Sequence, residues 1–155
     1  MKGFTIAEQG HVVTLIAPIS ISAAATSEVF SMENWGHATI IVQGGAGSAC
    51  TVTVSECDDF DPTTAATKTF MYCKEATASG DVADAALAAA TTAGTSVGTA
   101  TGTFLIIEID NDELSDGYPC VQINLSDPGT SKVVSAVAIL SGGRYQKDIT
   151  ATAIA

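Results

Sequence analysis

The sequence predicts an all-β domain, an antiparallel β-sandwich or jelly-roll-like fold. Three observations carry that prediction. Short runs rich in β-branched residues recur between turn residues along the chain. Several of these runs alternate with a period of two. The amphipathic crossover helices that a parallel α/β sheet would require are absent from the pattern. At 155 residues the chain suits one domain with a single real core, so 1–155 is read as one unit.

Phe4–Ala7 and Val12–Ile16 are the first short runs. Residues 1–20 hold few charges and end in Val12-Val13-Thr14-Leu15-Ile16-Ala17-Pro18-Ile19. Pro18 cannot donate to a ladder, so the segment suits an edge strand or an N-terminal arm. An apolar edge left free invites pairing with another chain, which makes Val12, Leu15, Ile16, Pro18 and Ile19 the candidate interface. An ordinary first strand paired inside the sandwich is the alternative. Ser27–Met32 alternates, and Trp35 stands at the turn into Ala38–Gln43, where a core anchor is expected. Gly44-Gly45-Ala46-Gly47 then reads as a hairpin turn, since a phosphate loop would need a GK[ST] ending and a following helix. In Cys50–Glu56, Cys50, Val52 and Val54 point one way and Thr51, Thr53 and Ser55 the other, the pattern of a half-buried antiparallel strand. An acidic turn, Asp58 to Pro62, leads to Thr67–Lys74, with Phe70 and Tyr72 opposite Met71 and Cys73.

Residues 76–100 are Ala, Thr, Gly and Ser with almost no large side chain. Asp81–Ala90 could form a short helix, since Ala is the best helix former, but Leu87 alone would anchor it. A surface excursion is the preferred reading of 76–100. Phe104–Ile109 is a near-continuous apolar run and reads as a central strand. Tyr118–Leu125 sets Val121, Ile123 and Leu125 against Gln122 and Asn124, and Ser126-Asp127-Pro128-Gly129 is a turn from which Val133–Leu140 is expected to pair back. The predicted core comprises Ile40, Val42, Val52, Val54, Phe70, Ile107, Val121, Ile123 and Ile139.

Composition narrows the function classes. Hydrophobic residues are 46 % and charged residues 15 %, below the ~25 % of an ordinary soluble domain. A lightly charged surface rich in Thr, Ser and Ala suits one destined to be covered by neighbours; a secreted or bacterial β-domain with a neutral surface is the alternative. The net charge of −11 disfavours nucleic acid, whose binding rests on cationic side chains, and offers no basic face to anionic membranes. Val12–Ala25 is too short and too polar for a membrane span of ~20 residues and lacks a signal peptide's layout, so synthesis in a cytoplasm is expected. Cys50, Cys57, Cys73 and Cys120 show no paired metal-ligand spacing and are expected to remain free thiols.

No catalytic or cofactor motif emerges. His11 and His37 lie near no nucleophile motif such as GxSxG. Glu56, Asp58, Asp59 and Asp61 form one acidic cluster, and Asp110, Asp112, Glu113 and Asp116 a second. Oxygen ligands at that density can hold Ca²⁺, so the second cluster is the calcium candidate, although it lacks an EF-hand's twelfth-position Glu and flanking helices. Solvated loop acids with capping roles are the alternative, and folding without any bound ion is expected. Glycosidase chemistry by paired carboxylates would need an aromatic-lined cleft, and aromatics are only 6 %.

Three stretches carry a resemblance. Ser31 to Gly45 is the first; Phe104 to Asp110, with Glu113-Leu114 and Gly117-Tyr118, is the second; Val121 to Gly129, then Ala138 to Tyr145, is the third. Together they resemble virion structural proteins of tailed bacteriophages of the head-decoration, or capsid-cement, kind. The resemblance covers roughly two-thirds of the chain and omits 76–100. It implies a non-enzymatic protein on the capsid exterior that binds the major capsid protein and itself, often as a trimer, and stabilises the shell. A tail or connector component, or a virion-surface carbohydrate-binding module, are the alternatives it leaves open.

Overall fold

The computed structural model describes residues 5–76, 82–83 and 86–143. A four-residue helix, Ile6–Gln9, opens the described chain. The strands that follow are β1 (Gly10–Ile21), β2 (Ala25–Thr26), β3 (Phe30–Ser31), β4 (His37–Gly47), β5 (Thr51–Cys57), β6 (Ala65–Lys68) and β7 (Phe70–Ala76). Then come β8 (Val82–Ala83), β9 (Ala88–Ala90), β10 (Thr95–Ser96), β11 (Thr103–Asp110), β12 (Cys120–Leu125) and β13 (Lys132–Ser141), with a 3-10 turn at Asn111–Glu113.

Two antiparallel sheets form the sandwich, as the sequence predicts. The larger runs β1-β13-β4-β11-β7-β8, with β9 also on β7; the smaller runs β10-β5-β12-β2, with β3 on β12 and β6 on β5. Between them Ile40, Val42, Leu105, Ile107, Ala138 and Leu140 meet Val52, Val54, Val121, Ile123 and Leu125, while Phe30, Met32 and Trp35 fill one end. Trp35 is the expected core anchor: it is buried, and its ring stacks on His11 at 6.1 Å between centroids. Phe70 is also buried as predicted. Ile139 is not in the core. In β13 the inward set is Val134, Ala136, Ala138 and Leu140, and period two sends Ile139 outward.

Several local expectations are corrected. Ala7 belongs to the short helix rather than a strand, and Phe4 lies outside the described residues. The chain from Ser27 to Met32 is extended only briefly, as β3. Thr67–Lys74 is not one strand: β6 pairs with β5 in the smaller sheet and β7 with β11 in the larger, so the chain changes sheets at Thr69. Gly44–Gly47 is no hairpin turn but the end of β4. Lys132 pairs with Gly47 and Val134 with Gly44, so β4 carries an extra residue, a bulge that glycine eases. At Gly44 a Cβ would lie 2.7 Å from the Val97 side chain, and at Gly47, with φ +128°, only 2.1 Å from the Ser131 carbonyl.

The stretch 76–100 is likewise more than an excursion. It supplies β8 and β9 to the larger sheet and β10 to the smaller, and it buries Ala90, Thr95 and Val97. Leu87 stays exposed, and no helix forms over the described part of Asp81–Ala90; Asp81 itself lies outside the described residues. Finally, β13 does not pair back on β12. After the turn, where Asp127 Oδ1 accepts the Gly129 N–H at 2.7 Å, the chain crosses to the larger sheet and settles between β1 and β4.

Candidate interaction surface

The middle strands of the larger sheet carry an apolar stripe on their outward face, between Gln43 and Ser135 on one side and Thr39 and Glu108 on the other. Their inward residues build the core. Outward, Val137 lies opposite Ile41, Ile41 opposite Ile106, and Ile106 opposite Cys73, a cross-strand stripe over β13, β4, β11 and β7. One row along, Val12 pairs with Ile139, and on the other side Phe104 pairs with Gln43. Antiparallel sandwiches ordinarily turn polar residues outward, so this face departs from the rule.

Beside the stripe lies the edge. Among the described residues β1 pairs with one strand only, β13, and its ladder shifts register between Thr14 and Ile16 and between Ile16 and Ile19. Pro18 sits in that irregular part, where a missing donor costs no ladder bond. The five candidate interface residues divide. Val12 and Ile19 are each 53 % exposed and Pro18 is exposed, whereas Ile16 is half-buried and Leu15 belongs to the core. The carbonyl of Leu15 accepts the Glu28 N–H at 3.0 Å, tying β1 to the segment before β3. Val133, 43 % exposed, joins Pro18, Gln43 and Gly45 around a cavity of about 280 Å³ next to the edge. Among the described residues β1 ends the larger sheet, and Leu15 faces the core rather than the exposed edge. Residues 1–4 lie outside the described residues.

The acidic residues take structural roles. Glu56 is buried; its Oε2 accepts from Ser115 N–H and from Lys68 Nζ, each at 2.9 Å, and its Oε1 accepts from Ser115 Oγ at 2.8 Å. Burial alone would raise the Glu56 carboxyl, but the Ser115 and Lys68 bonds outweigh it and hold it below its ordinary value. Lys68 Nζ also donates to the Glu113 carbonyl, so this latch pins the loop after β11 to the smaller sheet. Asp58 accepts from Thr63 Oγ1 and the Thr64 N–H, and Asp59 from the Asp61 N–H, fixing their turn.

The calcium candidates do not converge. Asp110 Oδ1 is engaged by His37, and Glu113 Oε2 accepts the Asp110 N–H at 3.2 Å, a helix-capping bond. Asp112 and Asp116 are exposed, and among the described residues no three His, Cys, Asp or Glu side chains gather around a point fit for an ion. Cys57 and Cys120 stand directly opposite each other on β5 and β12, both as free thiols. Burial, then the neighbouring Cys120, pushes the Cys57 thiol up to about 11.

Sequence reasoning missed one constellation. His37 Nδ1 lies 2.6 Å from Asp110 Oδ1, and His37 Nε2 lies 2.7 Å from Glu108 Oε2, which also accepts from Thr39 Oγ1 at 2.7 Å. Glu108 and Asp110 are two apart on one strand, so alternation placed them on one face. The missing information was the pairing of β11 with β4, which brings His37 opposite Asp110.

No family model matches the chain, and no curated protein matches it. Among solved structures it is similar to the crystal structure of SPBc2 prophage-derived protein YomS, with TM-score 0.45 and 10 % identity over 84 % of this chain and 94 % of that one. It is also similar to a structure of the infectious bursal disease virus Gx strain, with TM-score 0.22 and 8 % identity over 95 % of this chain and 44 % of that one.

Proposed function

We propose that this chain is a virion structural protein of a tailed bacteriophage, a decoration protein that binds the outside of the capsid shell and stabilises it by assembly rather than catalysis. One observation carries the reading: the outward stripe Val137, Ile41 and Ile106, continuous with the exposed Val12 and Val133 beside the β1 edge. Apolar surface of this kind gains free energy when a partner covers it, at ~25 cal/mol per Å². The motifs that resemble phage head-decoration proteins fall on β3, β4, β11, β12 and β13, and three of these strands build the stripe. The partners in this reading are the major capsid protein and further copies of the chain, with a trimer favoured. A net charge of −11 suits the exterior of a nucleic-acid container better than its lumen.

Co-sedimentation with shells of the encoding phage tests the reading. The chain is expected to pellet with expanded shells and not with unexpanded precursors. The pair Ile41→Thr and Ile106→Thr is expected to weaken binding more than about tenfold, since each buried aliphatic side chain is worth ~1.5–3 kcal/mol. Binding of the folded double variant with unchanged affinity would refute the assignment of the stripe, and failure of the wild-type chain to bind any shell would refute the decoration role.

A further inference from the structure

We infer that His37 is a pH-responsive clamp: as an imidazolium it bridges Glu108 and Asp110 at the end of the β4–β11 ladder, and it releases them as the pH rises. Both ring nitrogens lie within hydrogen-bond distance of a carboxylate, at 2.6 Å for Nδ1 and 2.7 Å for Nε2. An ionised carboxylate only accepts, so both nitrogens must donate, and imidazolium is the form that carries two N–H groups. Glu108 is further tied down by the Thr39 hydroxyl. The position matters because Asp110 is the last residue of β11. The chain then turns through Asn111–Glu113, held by the Asn111 N–H on the Gly36 carbonyl at 2.9 Å and by Glu113 on the Asp110 N–H.

Among the described residues the surroundings offer no substitute cation. β11 contributes Glu108 and Asp110, the turn contributes Asp112 and Glu113, and β4 adds only the neutral Thr39. β13 brings Ser141 opposite His37, and β7 brings Met71 opposite Glu108. Among the described residues the ion pairs of Glu108 and Asp110 are with His37, and Lys68 is committed to Glu56. A neutral imidazole keeps one N–H, so whichever tautomer remains, one carboxylate faces a ring lone pair and two carboxylates on one strand lose the cation between them. Burial pulls the imidazole down, but the bonds to Asp110 and Glu108 and their charges outweigh it, and the net shift is upward. The sign follows by linkage. The clamp contributes in full below the ordinary imidazole value of ~6.5 and is lost as the pH rises through the higher folded value.

Proton NMR of the intact chain tests this. The His37 Hε1 resonance, assigned by its loss in His37→Gln, is expected to titrate higher in the native protein than in the same protein in urea. Glu108→Gln and Asp110→Asn are each expected to lower that midpoint. Hydrogen exchange at the Asn111 amide is expected to speed up across the His37 titration beyond its ordinary base-catalysed rise in wild type. A native midpoint no higher than in urea, or one unmoved by both carboxylate variants, overturns the bridge. A high midpoint with no step in Asn111 exchange overturns the clamp. The wild-type measurements decide both points should a variant fail to fold.

Discussion

On the smaller sheet the outward positions are Thr51, Thr53 and Ser55 of β5 and Gln122 and Asn124 of β12, and several of them are tied to one another. Asn124 Nδ2 donates to Ser55 Oγ at 3.1 Å and its Oδ1 accepts from Thr26 Oγ1 at 3.2 Å; Gln122 Nε2 reaches the Ser27 carbonyl at 3.3 Å. Val29 and Phe60 cover Cys57 and Cys120 at the end of the same face. On the larger sheet the outward positions include Ile41, Ile106, Val137 and Ile139, which have no polar group to satisfy, beside the polar Thr39, Gln43, Glu108 and Ser135. Both sheets bury largely apolar inner faces, with Glu56 near one end of β5 and Lys132 at the start of β13. On the proposed function the apolar stripe of the larger sheet is the part left for a partner to cover, which is why Ile40-Ile41-Val42 and Phe104 to Ile107 read as apolar runs rather than alternating ones.

Four substitutions sharpen that contrast. Ile107→Ala and Ile106→Ala are neighbours on β11 facing opposite ways. The first removes part of the closed core and is expected to cost about 2–5 kcal/mol in urea unfolding; an equal cost for Ile106→Ala would mean that the outer face is already closed within the chain. Glu56→Gln keeps the shape of the latch on the smaller sheet and removes its charge, at an expected cost of about 1–3 kcal/mol near neutral pH. Because the folded Glu56 carboxyl is lowered, the contribution is present above its ordinary value of ~4.3 and is lost as the pH falls toward the lower folded value. Thermal melts from pH 7 to pH 3 should therefore show wild type and variant converging in acid; parallel curves would assign the latch to hydrogen bonding alone. Ile106→Thr is expected to change stability least, by less than about 1 kcal/mol, while still weakening shell binding. A larger loss of stability with intact binding would reverse the reading of the two faces.

Much of this architecture was legible from local pattern, and the failures share a cause. Cys50–Glu56 and Tyr118–Leu125 announced their inner faces because one face of each is polar. Val133–Leu140 is apolar but for Ser135, the one residue in it that marks the outward set to which Ile139 belongs, and Ile139 was placed on the wrong side. Gly44–Gly47 looked like a turn because glycine serves turns and bulges alike, and the bulge is visible only against Val133 and Lys132 of a strand far along the chain. The interface residues fared similarly: Pro18 suits an edge strand, but Leu15 shares the inward side of β1 with the buried Val13, a side set by pairing with β13.

By itself the sequence determined that the chain is built of strands, which residues of the alternating strands face inward, and that its surface carries little positive charge. Those properties follow from side-chain identity and the two-residue repeat of an extended backbone, which hold whatever the strand lies beside. The tertiary structure alone decided which strands are neighbours. It sent β13 to the larger sheet, changed sheets at Thr69, gathered the stripe from four strands, and set His37 between two carboxylates. Ladder hydrogen bonds are made by the backbone common to all residues, so partner choice rests on the packing of the whole core and leaves little trace in any one segment.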